Sequence, residues 1–256
     1  MRIELTNPWT LTVIPHREYL SLSARETQLP RLGNAVCSAD IAGHGVTVPA
    51  SVPGSFELDL EQAGIIPDPF FGTNILGLRD LEDRHLFYTT TFDAPKGYDP
   101  KAENTYIHFE GVDTVFNVSV NGQPLGGHED MYMAFDFETG TLKPTGNELF
   151  VHIWPTMIEA QEDWNYLPPA VGACKWNYAS LHMRKAPSSF GWDIMCRAVS
   201  GGIWRPVWLE VTKKPRLDDF FLYTYNVNAD HKCADLCLYY NFTTEDELCN
   251  DYEITV

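Results

Sequence analysis

Five alternating runs between Leu86 and Pro155 commit this chain to an antiparallel β fold: LFYTTTFDAP, TYIHFEGV, VFNVSVNGQPL, MAFDFETG and ELFVHIWP. Alternation puts every second residue on one face of a strand, so Phe116, Val118 and Val120 point together toward a core. Asn121-Gly122 follows at once, and both residues tolerate positive φ, which marks a tight hairpin. The runs read as a β meander. LTNPWTLTVI (Leu5–Ile14) adds a first strand, and GGIWRPVWLEV (Gly201–Val211) returns the chain to strand. Helices are few and short. Pro53-Gly54 makes a turn, Ser55 can cap a helix over Phe56–Ala63, and Gly64 stops it. Met157 to Arg184 has few β-branched residues, and its IEAQEDWNYL stretch predicts one or two short helices before Pro168-Pro169.

After Lys213-Lys214-Pro215 the pattern restarts. RLDDFFLYTYNV, CADLCLYYNF and DYEITV read as three strands of a second β unit. A seven-strand sandwich needs roughly 100 residues, more than follow Pro215, so the chain is expected to stop inside that unit. This gives two domains, 1–214 and 215–256. The fold class is all-β.

Composition narrows the partners. A formal charge of −17 argues against nucleic acid, whose phosphates demand Lys and Arg, and against an anionic membrane surface. No apolar run approaches the roughly 20 residues of a membrane span, and MRIELTNPWTL lacks a basic-then-apolar leader. A cytoplasmic protein is the expectation. The six cysteines (Cys37, Cys174, Cys196, Cys233, Cys237 and Cys249) are expected to be buried thiols, because a chain this size can build a core without staples. Cys233-x3-Cys237 lacks the second close pair that a zinc site needs. No His-x-x-x-His pair, nucleophile elbow or phosphate-binding glycine loop is present. The acids of GHED (Gly127–Asp130) read as solvated, and no metal or cofactor is assigned. His108 and His152 alternate within strands and are expected at the surface.

Several segments, in order, resemble the amino-terminal part of family 2 glycoside hydrolases, most nearly the β-mannosidase branch. They are VPGSFELDLEQAGIIPDPFFGTN, FEGVDTVFNVSVNGQPLGGHEDMYMAFDF, MRKAPSSFGWD and GGIWRPVWLEV. The resemblance covers most of the chain up to Val211. It implies a jelly-roll, galactose-binding-like sandwich, then an immunoglobulin-like domain, of which 215–256 is the truncated start. A barrel carrying two catalytic glutamates would follow. On this reading the chain holds no catalytic residue. It is the non-catalytic portion of a retaining exo-glycosidase that removes terminal nonreducing β-linked sugars. An independent carbohydrate-binding or interaction module is the alternative, and β-galactosidase or β-glucuronidase are alternative parents.

The resemblance implies the site as well. Asp193 of FGWD would accept hydrogen bonds from sugar hydroxyls, the work an ionised carboxylate does best. Trp192 would offer its face to a pyranose ring, and Asn74 of FFGTN would approach the same pocket. A bland reading stands beside each: Asp193 capping a turn or pairing with Arg184 or Arg197, and Asn74 satisfying its own loop. Arg184 and Lys185 are expected to support the loop, and Trp204 and Arg205 to lock the end of the sandwich. The family usually carries Trp-Gly-Pro after the Trp-Asp, where this chain has Ile194-Met195-Cys196. Asn147-Glu148 mimics the Asn-Glu pair of barrel chemistry, but it precedes an alternating strand and reads as a turn. Open strand edges after Pro215 favour association with a second copy.

Overall fold

The computed structural model describes residues 1–23, 35–162, 178–213, 215–244 and 253. Two antiparallel sheets face each other. The first has four strands: β1 (Arg2–Glu4), β10 (Val207–Lys213), β5 (Glu103–Phe109) and β8 (Phe135–Glu138), in that order. The second has six: β3 (Val46–Ala50), β2 (Trp9–Pro15), β4 (Arg84–Phe92), β9 (Asn147–Ile153), β6 (Phe116–Val120) and β7 (Gln123–His128). Alternation builds the space between them. Leu11, Val13, Leu86, Tyr88, Phe116, Val118, Leu149 and Val151 come from one sheet; Ile107, Phe109, Phe135, Phe137, Leu209 and Val211 come from the other. All are buried, and removing that apolar surface from water drives the sheets together.

The meander forms as expected. Asn121 (φ 53°) and Gly122 (φ 77°) make the turn that joins β6 to β7. The helix α2 (Phe56–Gln62) also forms, and Phe56 and Leu60 reach the core. Its Ser55 hydroxyl makes no capping bond to the helix backbone. The expected first strand, Leu5–Ile14, forms only from Trp9, as β2 in the six-stranded sheet. Asn7-Pro8 separates it from β1, a strand not expected from the sequence, which joins the four-stranded sheet. A proline has no N–H for a ladder, and Asn7 pins the crossover by donating Nδ2 to Thr91 O at 2.7 Å. The helix α3 (Thr156–Glu162) realises the start of IEAQEDWNYL, and the rest of that stretch lies outside the described residues.

Two expectations are corrected. His152 is buried, 1% exposed. Strand β9 is covered on both faces, because the helix α1 (His16–Ser23) brings Tyr19 over the outer face, onto Ile14, Phe87 and Phe150. His108 is half-buried, stacked on Trp208 with centroids 3.9 Å apart. The cysteines differ too. Cys37 and Cys237 are half-buried and Cys196 and Cys233 exposed, all four as free thiols, because they sit on loops and on a strand pair open to solvent. Cys174 and Cys249 lie outside the described residues.

Beyond Pro215, β11 (Arg216–Val227) and β12 (Ala234–Thr243) form a separate two-stranded sheet. Phe220, Phe221, Tyr225, Tyr239 and Tyr240 are exposed on it. The third expected strand, DYEITV, lies outside the described residues except for Glu253. Among the described residues no helix is long and apolar enough to cross a membrane.

Candidate functional site

FGWD sits on a hairpin of the tightest kind. Trp192 N–H donates to Met195 O at 3.1 Å, and Met195 N–H returns to Trp192 O at 3.2 Å. Asp193 and Ile194 form its tip. Backbone bonds alone close it, so the departure at Ile194-Met195-Cys196 leaves the hairpin's closure intact and changes only what it displays. Trp192 is 69% exposed and Ile194 89%.

The base of the hairpin is held rigidly. Phe190 is buried at the end of a short 3₁₀ turn, Pro187–Phe190. Gly191 has φ 96°, where a Cβ would meet the Arg197 Cβ at 3.3 Å; glycine is needed for both reasons. Arg197 grips Glu82 with both arms, Nε to Oε1 and Nη2 to Oε2, each at 2.6 Å. That planar fork fixes orientation as well as position. Glu82 ends the 3₁₀ segment that Asn74 begins, Asn74–Leu81. The loops carrying Asp193 and Asn74 are therefore joined through the Arg197–Glu82 pair.

Neither suggested arginine holds Asp193. Arg197 is committed to Glu82, and Arg184 donates Nε to Asp130 Oδ2 at 2.9 Å. Asp130 also accepts the Tyr132 N–H at 2.8 Å. Those hydrogen bonds and the Arg184 charge hold its carboxyl below the usual range, against the opposing effect of partial burial. The acid of GHED is thus a loop staple. Asp193 is exposed and makes no hydrogen bond or ion pair with any described residue. Asn74 spends Nδ2 on Asp68 O at 2.9 Å, shaping its own loop.

The supporting residues lie beneath. Lys185 is 1% exposed, and its ammonium donates to Asp113 Oδ2 and, at 2.7 Å, to Ser200 O. Beside it Glu57 is buried and accepts from Ser200 Oγ at 2.9 Å. Desolvation pushes the Glu57 carboxyl up to about 7, against its hydrogen bonds and the Lys185 charge. Trp204 donates Nε1 to Met131 O at 3.1 Å, and Arg205 lies over its ring at 4.1 Å. Sequence reasoning singled out Lys185 but missed its partners Asp113, Ser200 and Glu57. The Asn147-Glu148 pair is structural: Asn147 is buried and bonded to Phe92 O, and Glu148 accepts from Ser38 N and Oγ at 3.0 and 2.7 Å.

Exposed apolar side chains cluster on the same loops: Phe70 and Phe71 before Asn74, Tyr132 and Met133 after Asp130, Trp192 to Met195 on the hairpin. Loops dense in exposed apolar residues mark a surface that meets something else.

Comparison with known proteins fits this architecture. Residues 34–205 match the family described as glycosyl hydrolase 2 galactose-binding domain-like. The chain is 33% identical over 175 residues to β-mannosidase B of Thermothelomyces thermophilus, covering 67% of this chain and 20% of that protein. It is 28% identical over 188 residues to β-mannosidase of Mus musculus, covering 69% and 21%. Among solved structures, β-D-mannosidase from Dictyoglomus thermophilum superimposes with a TM-score of 0.68 at 26% identity, covering 89% of this chain and 24% of the other. The Amycolatopsis orientalis exo-chitosanase, at 17% identity and a TM-score of 0.54, shares the fold. The chain spans about a fifth of the length of the curated relatives it matches. By the match to 34–205, carried on this sandwich, the chain belongs to the galactose-binding-like domain family of the family 2 glycosyl hydrolases.

Proposed function

We propose that this chain is the non-catalytic amino-terminal portion of a retaining, β-mannosidase-like exo-glycosidase, and that it lends Asp193 to a sugar pocket completed by a catalytic barrel. One observation carries the reading: a carboxylate with no partner among the described residues, at the tip of a braced hairpin and flanked by exposed Trp192 and Ile194. A free carboxylate held outward by fixed neighbours is pre-organised to accept two sugar hydroxyls. Trp192 supplies an apolar face to the ring. Asn74 enters this reading through Oδ1 and the second N–H of Nδ2, the first being donated to Asp68 O. The exposed aromatics around the hairpin are the surface that meets the barrel.

Retaining hydrolysis needs two carboxyl groups about 5–5.5 Å apart, which the barrel would supply. In the full-length enzyme, Asp193→Ala is expected to lower kcat/KM about 100-fold, the loss of charged hydrogen bonds worth roughly 1.5–3 kcal/mol each, with the melting temperature unchanged. Unaltered kinetics overturn the role of Asp193. The 256-residue chain alone should hydrolyse no glycoside, and selective millimolar sugar binding by it would favour an independent module instead.

The same reading makes 215–256 the opening of an immunoglobulin-like sandwich and puts the protein in the cytoplasm, in keeping with the free thiols of the four described cysteines. Exposed aromatics on β11 and β12, with their open edges, favour self-association. Light scattering at increasing concentration is expected to show a mass above one chain, reduced by Phe220→Lys; a constant single-chain mass refutes it.

A further inference from the structure

The outer face of the four-stranded sheet carries a cluster that the sugar pocket does not use. His108 on β5 lies directly across from Asp136 on β8, and Glu210 on β10 lies one diagonal position away, opposite Tyr106. One donor atom from each of these three side chains lies within 4.8 Å of the other two. We propose that His108, Asp136 and Glu210 form a binding site for a divalent transition-metal ion, with zinc as the type case.

The first argument is electrostatic. His108 meets a carboxylate at each ring nitrogen: Asp136 Oδ1 is 2.6 Å from Nδ1, and Glu110 Oε1 is 3.5 Å from Nε2. A neutral imidazole has one N–H and one bare lone pair. Whichever tautomer forms, a lone pair faces an anion. Nε2 is shut off from solvent and makes no hydrogen bond, so water does not relieve that contact. A metal cation held among these groups would turn each of those contacts from repulsive to attractive.

The second argument is positional. Metal-binding side chains are held by outer partners that fix their direction. His108 is stacked on Trp208, over whose ring the Arg2 guanidinium also lies, 3.5 Å from the centroid. Asp136 Oδ2 accepts a hydrogen bond from Arg216 Nη2 at 2.7 Å, and Arg216 is itself stacked over Tyr106 at 4.3 Å. One carboxylate oxygen is thus anchored and the other turned to His108.

The donor set is one imidazole and two carboxylates, with no thiolate, which suits zinc with a fourth position left to water. Zn–N and Zn–O bonds of about 2.0–2.2 Å place ligand atoms nearer together than 4.8 Å, so side-chain rotation must close the cluster around the ion. Arg216 opposes the ion's charge while it orients Asp136. The site also ties β11 to the sandwich through Arg216, so metal binding and the placement of the second sheet are coupled.

The test is a calorimetric titration of the chelator-stripped chain with zinc chloride, repeated by absorption with cobalt(II). One equivalent bound at about 10 μM or tighter, with affinity at least tenfold weaker in both Glu210→Gln and Asp136→Asn, supports the site. Glu210→Gln is half-exposed on its strand and keeps the fold, which a melting curve verifies. Absence of saturable binding up to about 1 mM overturns the proposal. So does equal affinity in both variants, or a cobalt spectrum dominated by thiolate charge transfer, which would assign the ion to the cysteines.

Discussion

Lys185→Met is expected to destabilise the sandwich by about 3–5 kcal/mol, the typical result of removing one partner from a buried ion pair. The methionine keeps most of the aliphatic stem, so the loss is mainly electrostatic. Lys185 is among the largest fully buried side chains, and its ammonium touches Asp113 and Ser200 O. Asp113 is itself 6% exposed, and its backbone exchanges two hydrogen bonds with Gly202. It can neither turn to water nor leave. Without the ammonium, Asp113 stays buried as an unpaired anion beside Glu57, whose own carboxyl desolvation already pushes up to about 7. A domain has only about 5–15 kcal/mol to lose. Chemical denaturation should show a sharply lower midpoint at an unchanged slope. The double variant Lys185→Met/Asp113→Asn should recover much of the loss, because the stranded charge is gone. A single variant within 1 kcal/mol of the parent would refute the account. Since Lys185 ties 113 to 200, on either side of the FGWD hairpin, the function proposed above predicts that the same variant also lowers glycoside turnover by a full-length protein.

The layout of this molecule was legible where one strand has one buried face. Phe116, Val118 and Val120, closed by Asn121-Gly122, needed only alternation and a turn rule. The order of motifs around Val52-Pro53-Gly54, Arg184-Lys185-Ala186 and Phe190-Gly191-Trp192-Asp193 disclosed the family. What stayed hidden was pairing at a distance. Arg197 and Glu82 are 115 residues apart, and Lys185 and Asp113 are 72 apart. Nothing in either local pattern names the partner. The hairpin of Trp192 to Met195 was invisible for another reason: backbone bonds close it, and they leave no side-chain signature. The burial of His152 was missed because alternation was read with one face dry. A signal existed. Phe87 and Phe150 lie on the same outer face as His85 and His152, opposite Tyr88 and Val151, so both faces of these strands are apolar. Strands apolar on both faces are covered on both faces.

That covered face leads to the second large effect, an acid sensitivity set by histidines. His16 Nδ1 meets His85 Nε2 at 2.9 Å, and His85 Nδ1 meets His152 Nε2 at 2.8 Å. Tyr19 stacks on His85 at 4.0 Å, and Phe87 on His152 at 4.2 Å. Burial pushes His152 down to about 3 and His85 lower still, with the neighbouring rings adding to the effect on His85. His16, nearer solvent, is lowered less freely because Asp83 opposes it. In the unfolded chain each titrates near 6.5. Between these values the unfolded state binds protons that the folded state refuses. Stability therefore falls as pH drops below about 6.5, by roughly 1.4 kcal/mol per unit for each of His85 and His152. Glu57 acts in the opposite sense. Its folded value of about 7 lies above the unfolded one, so from pH 7 to about 4.5 the folded state binds the extra proton and gains roughly 1.4 kcal/mol per unit on acidification. Counting His85, His152 and Glu57, the loss is thus about 1.4 kcal/mol per unit down to pH 4.5 and about 2.7 below it, once Glu57 is protonated in both states, and the lowered His16 adds to it. Replacing both inner rings, His85→Phe with His152→Phe, keeps the aromatic packing and removes the histidine contribution. In that variant the acid slope above pH 4.5 should largely vanish, because the Glu57 gain then offsets what His16 still loses. Denaturant midpoints measured from pH 7.5 to 4 decide it: a variant that keeps the parent's acid slope means the buried histidines do not carry the effect.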